Sequence, residues 1–338
     1  MPVTIVAEGG CEHAGSLDEG KRIIDLALEA GADFVKFQLY DVTELVSKRA
    51  DPAQWEKLAA LEMTPHEASL LVAHAPGKVA FSVFDHRSLA VVNELDVPFI
   101  KLGSGELSDF PLVRAVAALR KPTVLSTGMH DDQTVWRAEA TIAAEDGWLD
   151  YHKHLTLMHC VSAYPASGPL DMGRMIRLDA GFKVGYSDHT TTPMAAQMAV
   201  ALGASMIEAH VTTGKGPDAA MAWRLDVADF GWPSVEDHTQ TRFGGYVRCV
   251  RAAEEVMRPH RVVGVPEWGG SPLSAKEFDT ARSSRKSLAA AHDVLRGDVW
   301  TEANLTCMRP GTGIPAGRWD EFIGKRAERD YDAGELLR

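Results

Sequence analysis

Cysteine is scarce in this 338-residue chain: the four present, Cys11, Cys160, Cys249 and Cys307, make no CxxC pair and no short metal-type spacing. A disulfide scaffold and a zinc ribbon are excluded on that ground, and a reducing, cytoplasmic setting is expected. Positive charge is also short. Lys and Arg number 35 against 47 Asp and Glu, leaving a formal net charge of −12. Most of the surface therefore repels phosphate backbones and anionic lipid, so neither a nucleic-acid nor a membrane partner is expected. Long apolar runs are missing as well. The longest uncharged stretch, Thr190–Ile207, contains Pro193, Gln197 and Gly203 and reads as a helix followed by a strand rather than a membrane span. The opening MPVTIVAEGG lacks a basic segment and is interrupted by Glu8, so a secretory signal is not expected either.

What is present is 45% hydrophobic and 24% charged residues, ordinary for a soluble globular protein, and a length that suggests about two domains at roughly 150 residues each. Short β-branched runs recur, each followed by a polar or Gly-rich loop and then a helix-period segment, the pattern of βα units around a parallel sheet. Eight such runs are predicted as strands: VTIVAE from Val3, DFVKFQ from Asp33, KVAFSV from Lys78, VPFIKL from Val97, PTVLST from Pro122, LTLMHC from Leu155, KVGYSD from Lys183 and SMIEAHV from Ser205. That number predicts an α/β fold, a (β/α)8 TIM barrel. Ser16 is a predicted N-cap, with Ile23, Ile24, Ala27 and Leu28 on one helical face before Gly31. Further helices are predicted over Pro65–Ala75, Ser88–Leu95, Phe110–Leu119, Asp132–Ala144, Pro193–Leu202 and Asp237–Met257. Tyr40, Trp55, Trp136, Trp148 and the helically spaced Met residues are assigned to packing, Cys11 to a small packing role, and YHKHL at Tyr151–Leu155 to a solvated loop.

Beyond Met257 the Pro/Gly-rich PHRVVGVPEWGGSP reads as a linker. The organisation expected is a catalytic barrel over residues 1–258, a linker over 259–277 and a small β-rich domain over 278–338, carrying short strands and no long helix.

A barrel of this kind builds its site at the carboxyl ends of the strands and in the loops that follow. This sequence places there Glu8; Lys36 and Gln38; Ser82 and Asp85; Lys101, Ser104 and Glu106; Ser126 and Thr127; His159, Ser162 and Tyr164; Ser187, Asp188 and His189; Glu208 and His210. So many polar groups converging on one mouth imply a ligand to pair with. Lys36 and Lys101, each inside an apolar strand, read as anion binders, with Ser104 and Ser126 beside glycines as added donors; alternatively each Lys pairs with a neighbouring carboxylate. His189 and His210, ending adjacent strands, suit one divalent ion completed by oxygen, manganese before magnesium or cobalt, or else are hydrogen-bonded polar residues. Glu106 and Glu8 read equally as a general base or as partners orienting the lysines. Asp188 either fixes the tautomer of His189 or points away.

Several motifs in order also resemble the sialic acid synthases, phosphoenolpyruvate-dependent enzymes that make nonulosonic acids from amino-sugar aldehydes. The carriers are AEGGCEHAG at Ala7, GADFVKFQ at Gly31, FSVFD at Phe81, FIKLGSGEL at Phe99, VLSTGM at Val124, LMHCVSAYPA at Leu157, VGYSDHT at Val184, IEAHVTTGKGPD at Ile207 and EANLTCMRPGTGIP at Glu302. The resemblance implies a C-terminal antifreeze-like (SAF) domain whose Arg309 contacts substrate across a domain-swapped homodimer. It implies phosphoenolpyruvate held by Lys36, Ser82, Lys101, Ser104, Ser126, Ser162 and Ser187, with Glu8 and Tyr164 lining its site. His189 and His210 match the metal ligands, Glu106 the base for water, and Gln38 and Asp218 the sugar contacts.

The chain departs from the family pattern at Glu12, Ala14, Ala209, Ala219 and Trp223. These changes are read as sparing the phosphoenolpyruvate and metal positions while altering the aldehyde side, which leaves N-acetylmannosamine or a variant sugar as acceptor. Two other readings compete: a Schiff-base pyruvate aldolase using Lys101 or Lys36 as nucleophile, and a homologue that binds a sugar without catalysis.

Overall fold

The β-branched runs become eight parallel strands: β1 (Thr4–Gly10), β2 (Phe34–Leu39), β3 (Val79–Val83), β4 (Ile100–Leu102), β5 (Thr123–Ser126), β6 (Leu155–His159), β7 (Lys183–Asp188) and β8 (Met206–Thr212). Each pairs with the next, and β1 also pairs with β8, which closes the barrel. A short β9 (Leu225–Asp226) pairs in parallel with the end of β8. The structure is a computed structural model and describes residues 2–146, 151–178, 181–215, 225–227, 242–257 and 275–338.

Strand geometry sends successive side chains to opposite faces, and that alternation divides the core in two. Outward residues such as Ile5, Val35, Phe37, Leu157, Tyr186 and Ile207 join the layer under the helices. Inward residues Val6, Ala80, Phe99, Val124 and Met158 plug the barrel, with Phe34 and Met206 packed against them. The helices follow the predicted order. Ser16 caps Leu17–Glu29 by accepting from the Glu19 amide at 3.3 Å, and the buried face of that helix is Ile23, Ile24 and Ala27. Pro65–His74, His86–Glu94, Phe110–Ala118, Asp132–Asp146 and Met194–Ala201 match predicted helices, as does Phe243–Met257, whose expected start lies outside the described residues.

Some expectations fail. Between β2 and β3 the chain forms two helices that apolar periodicity did not reveal, Val42–Leu45 and Pro52–Ala59, each started by an aspartate cap at Asp41 and Asp51. Tyr151–His154 is a helical turn leading into β6, not a loop. Trp136, Met194 and Met198, expected to pack, are exposed at 62%, 65% and 49%. Trp148 lies outside the described residues.

The C-terminal unit pairs β10 (Ser287–Ala290) antiparallel with β11 (Leu305–Met308) over a core of Leu288, Trp300, Leu305, Trp319 and Leu337. It is preceded by the ten-residue helix Ala275–Ser284, where no long helix was expected. Main-chain bonds dock the unit on the barrel: the Arg309 amide donates to Leu45 O at 3.0 Å and the Ser47 amide to Arg309 O at 3.1 Å. Arg309 thus reaches the barrel of its own chain.

Candidate active site

Along each strand the inward position turns from apolar to polar toward the carboxyl end: Val6 then Glu8, Phe34 then Lys36 and Gln38, Ala80 then Ser82, Phe99 then Lys101, Val124 then Ser126, Met158 then Cys160, Gly185 then Ser187, Met206 then Glu208 and His210. Register aligns these rows, with Glu8 opposite Lys36 on one side and His210 on the other, and Ser187 opposite Glu208. The result is a cavity of about 190 Å³ lined by Glu8, Lys36, Gln38, Ser82, Lys101, Ser104, Glu106, Ser126, Tyr164, Ser187, His189, His210 and Arg309, together with Cys160 and Glu208. Ser162 borders it from behind Gly128, and Asp218 lies outside the described residues.

The same alternation removes other candidates. His159 and Asp188 face the helices: His159 Nε2 lies 2.8 Å from Leu170 O, and Asp188 accepts from the Tyr246 hydroxyl at 2.9 Å and from the Thr190 amide at 2.9 Å. Asp188 therefore does not set the tautomer of His189. Asp85 caps the helix His86–Glu94 through the Ser88 amide at 2.7 Å, and Thr127 donates to Met158 O at 3.2 Å.

Both lysines are paired inside the cavity. Lys36 sits against Glu8, 3.7 Å from Glu208 Oε2, and donates to Ser82 Oγ at 2.7 Å, while Lys101 Nζ lies 3.0 Å from Glu208 Oε2. Glu208, given no role from sequence, is the carboxylate both ammonium groups share, and it also accepts from Ser187 Oγ at 3.0 Å. Its spacing two residues before His210 was the available signal. Burial alone would raise its pKa, but Lys101 and Lys36 hold it down to about 2. Burial likewise opposes the charge on Lys36, yet Glu208 and Glu8 keep that pKa above the ordinary lysine value. An ammonium held above the ordinary lysine value by two carboxylates is a poor imine-forming nucleophile, which argues against the Schiff-base reading at Lys36.

Gly128 carries the donor side. A Cβ there would come within 2.9 Å of Ser104 Oγ and 2.7 Å of Cys160 Sγ, with Ser162 Oγ beside them, so only glycine lets these groups converge. Cys160 was not among the sequence candidates; its Sγ is 3.2 Å from Ser104 Oγ.

Opposite lie the two imidazoles, their centroids 5.3 Å apart, with the Tyr164 ring 4.3 Å from His189. His189 Nδ1 is 2.7 Å from Val161 O and so carries the proton, which leaves the lone pair on Nε2, 3.4 Å from Ser187 Oγ. Among the described residues no group of three or more His, Cys, Asp or Glu side chains is arranged to hold a metal. Two imidazoles, one with its tautomer fixed, fit an open site whose other ligands are oxygens from water or substrate.

Glu106 closes the far wall. It is fully buried, its Oε1 accepts from Arg309 at 3.0 Å, and its Oε2 has no hydrogen-bond partner among the described residues. Burial raises its pKa against the pull of Arg309 and Lys286.

The sequence profile of the NeuB family matches residues 23–230, and that of the SAF domain matches 285–338. The chain belongs to the NeuB family. It is 33% identical over 99% of its length to the N,N'-diacetyllegionaminic acid synthase of Campylobacter jejuni, covering 98% of that protein. It is 29% identical to a pseudaminic acid synthase of the same species, with 99% and 95% of the two chains aligned. The crystal structure of the spore coat polysaccharide biosynthesis protein SpsE of Bacillus subtilis superposes with a TM-score of 0.76 at 27% identity, over 100% of this chain and 94% of that one. As a NeuB-family member this chain is an enzyme, and its fold is a TIM barrel with a C-terminal SAF unit. No helix among the described residues is long and apolar enough to cross a membrane.

Two family departures fall away from the cavity. Ala209 packs in the layer beneath the helices, and the carboxylate of Glu12, itself fully buried, accepts from Thr212 Oγ1 at 2.7 Å. Neither lines the cavity. Ala219 and Trp223 lie outside the described residues.

Proposed function

We propose that this NeuB-family enzyme condenses phosphoenolpyruvate with a sugar aldehyde to give a nonulosonic acid and phosphate. The observation that carries this is the convergence, in one cavity, of two buried lysines, a set of serine hydroxyls, two imidazoles and the buried carboxylate of Glu106, which Arg309 engages through one oxygen. The cationic and hydroxyl groups complement an enol phosphate bearing a carboxylate. The relatives' names range over legionaminic and pseudaminic acids, which supports an amino-sugar aldehyde as acceptor without favouring one compound.

In this reading Lys36, Lys101, Ser82, Ser104, Ser126, Ser162 and Ser187 orient phosphoenolpyruvate, with Glu8 fixing Lys36 and Gln38, and Tyr164 and Arg309 flanking the acceptor. His189 and His210 would hold a divalent ion, manganese by preference, which when bound supplies Lewis-acid polarisation of the aldehyde oxygen. C3 of the enol phosphate then adds to the aldehyde carbon, whose oxygen takes up a proton to become a hydroxyl, and water adds at the cationic C2 this leaves; the C2 hydroxyl gives up its remaining proton as phosphate departs, forming the ketone. Glu106, with its unpartnered Oε2, takes the proton from that water, and phosphate leaves with cleavage of its bond to C2. Most of the acceleration comes from orientation and from fixed charges around transient charge. A homodimer that exchanges SAF units would present Arg309 in trans to the same Glu106.

A manganese-containing phosphate-release assay over hexosamine, 6-deoxy-diamino-sugar and simple aldose acceptors tests the reading. Release that requires both phosphoenolpyruvate and an amino-sugar aldehyde is expected. Release with none of these acceptors would overturn it and favour the non-catalytic alternative. Borohydride trapping of pyruvate on a lysine would favour the aldolase.

A further inference from the structure

The turn between β4 and the helix Phe110–Ala118 carries two carboxylates three residues apart, Glu106 and Asp109, locked together by the Asp109 amide donating to Glu106 O at 2.9 Å. The SAF hairpin faces it with two cations. Ser287 pairs with Met308 at the end of the antiparallel ladder, which sets Lys286 and Arg309 side by side as the next residues of the two strands. Arg309 takes Glu106 at 3.0 Å and Lys286 takes Asp109 at 2.7 Å. The second pair is the more deeply buried: the side chains of Lys286 and Asp109 are 2% and 6% exposed, and Lys286 also donates to Phe84 O. Asp109 is fully committed, since its Oδ1 caps the following helix by accepting from the Leu112 amide at 3.2 Å and its Oδ2 holds Lys286.

We infer that Lys286 is a positioning residue: its ion pair with Asp109 latches the SAF hairpin to the β4 turn and thereby holds the Arg309 guanidinium on Glu106. The inference rests on the reading of Glu106 as the base, but its first consequence does not. A buried ion pair broken on one side leaves an uncompensated charge and costs far more than an exposed pair. Without Lys286 the hairpin keeps its own core of Leu288, Trp300 and Leu337, yet loses its buried electrostatic anchor to the barrel. Among the described residues the charged groups that act most strongly on Glu106 are Arg309, Lys286 and Asp109, so any shift of the hairpin changes the surroundings of Glu106 as well.

The test uses the full-length protein and the variants Lys286→Met and Lys286→Arg. Hydrogen exchange in the absence of substrate reads the latch directly. In Lys286→Met the amides of Arg309 and Ser47, which bridge the two units, should exchange at least tenfold faster while the Leu288 and Ala290 amides inside the SAF unit stay protected. Lys286→Arg should restore protection in part. The pH profile reads the consequence: the acid limb of kcat/KM should move upward in Lys286→Met, with kcat falling up to about 100-fold, the scale of a 1 Å misplacement, and KM for phosphoenolpyruvate changing little. Unchanged exchange at Arg309 and Ser47 overturns the latch whatever the activity. Faster exchange with an unmoved acid limb overturns the positioning role alone. Loss of protection throughout the SAF unit shows a purely structural role and also overturns it. Absence of phosphate release in the wild type, by contrast, overturns the reaction and leaves the exchange result standing.

Discussion

Replacing Glu208 with Gln removes a carboxylate that pairs directly with two buried ammonium groups. At an effective dielectric constant near 20, a unit charge at 3.0 Å from Lys101 interacts by about 5 kcal/mol and one at 3.7 Å from Lys36 by about 4 kcal/mol. Repulsion from Glu8 and the cost of burying Glu208 offset much of that gross attraction. Breaking a buried pair on one side nets roughly 3–5 kcal/mol of lost stability. Glu208→Gln should therefore lower the melting temperature by roughly 4–7 °C. It should also strip Lys101 of its carboxylate, so that added phosphoenolpyruvate supplies the missing negative charge. Saturating ligand at 100-fold over its Kd stabilises a folded protein by about 2.7 kcal/mol, and the thermal gain on adding phosphoenolpyruvate should be larger in the variant than in the wild type. Scanning calorimetry with and without phosphoenolpyruvate measures both quantities. A variant that melts within a degree or two of the wild type, or that gains no more from phosphoenolpyruvate, would refute the idea that Glu208 holds the lysines poised for an anion.

Arg309→Gln removes the nearest cation from Glu106, whose pKa burial already raises. Because a base acts only when ionised, the acid limb of kcat/KM should move to higher pH by about 1–3 units, read from a pH–rate profile. Gly128→Ala drives a methyl group into Ser104 Oγ and Cys160 Sγ, so KM for phosphoenolpyruvate should rise at least tenfold while the circular dichroism spectrum is retained. His189→Ala should abolish manganese binding in a calorimetric titration while leaving the fold intact. Ala14 is held at φ 50, where glycine and asparagine are easier than alanine, so Ala14→Gly should raise stability by roughly 0.5–1 kcal/mol in urea unfolding without changing kcat.

The strands were legible because β-branched runs of four to six residues between turn signals have few other uses, and the cap at Ser16 because its chemistry is local. The barrel mouth followed from strand ends alone, but the direction each side chain takes did not. Listing every polar residue near a strand end swept in His159 and Asp188, which the two-residue alternation sends toward the helices. Applied strictly from Glu8, Lys36 and Ser187, that alternation would have sorted them and promoted Cys160 and Glu208. The helices Val42–Leu45 and Pro52–Ala59 escaped because they are short and weakly apolar, although Asp51 before Pro52 is a readable start. Trp136 and the exposed methionines show that an apolar residue on a helix does not name its face. Lys286 and Asp109 were invisible, since a pair 177 positions apart leaves no local pattern.

In the proposed reaction phosphoenolpyruvate is the donor, and its phosphate departs with the bond to C2 broken. Phosphoenolpyruvate isotopically labelled at the bridging oxygen, incubated with manganese and an amino-sugar aldehyde, tests this most directly by mass spectrometry of the products. The account predicts the label in inorganic phosphate and a new nonulosonic acid without it. Label retained in the sugar acid, or labelled phosphoenolpyruvate left intact with no sugar acid formed, would contradict it.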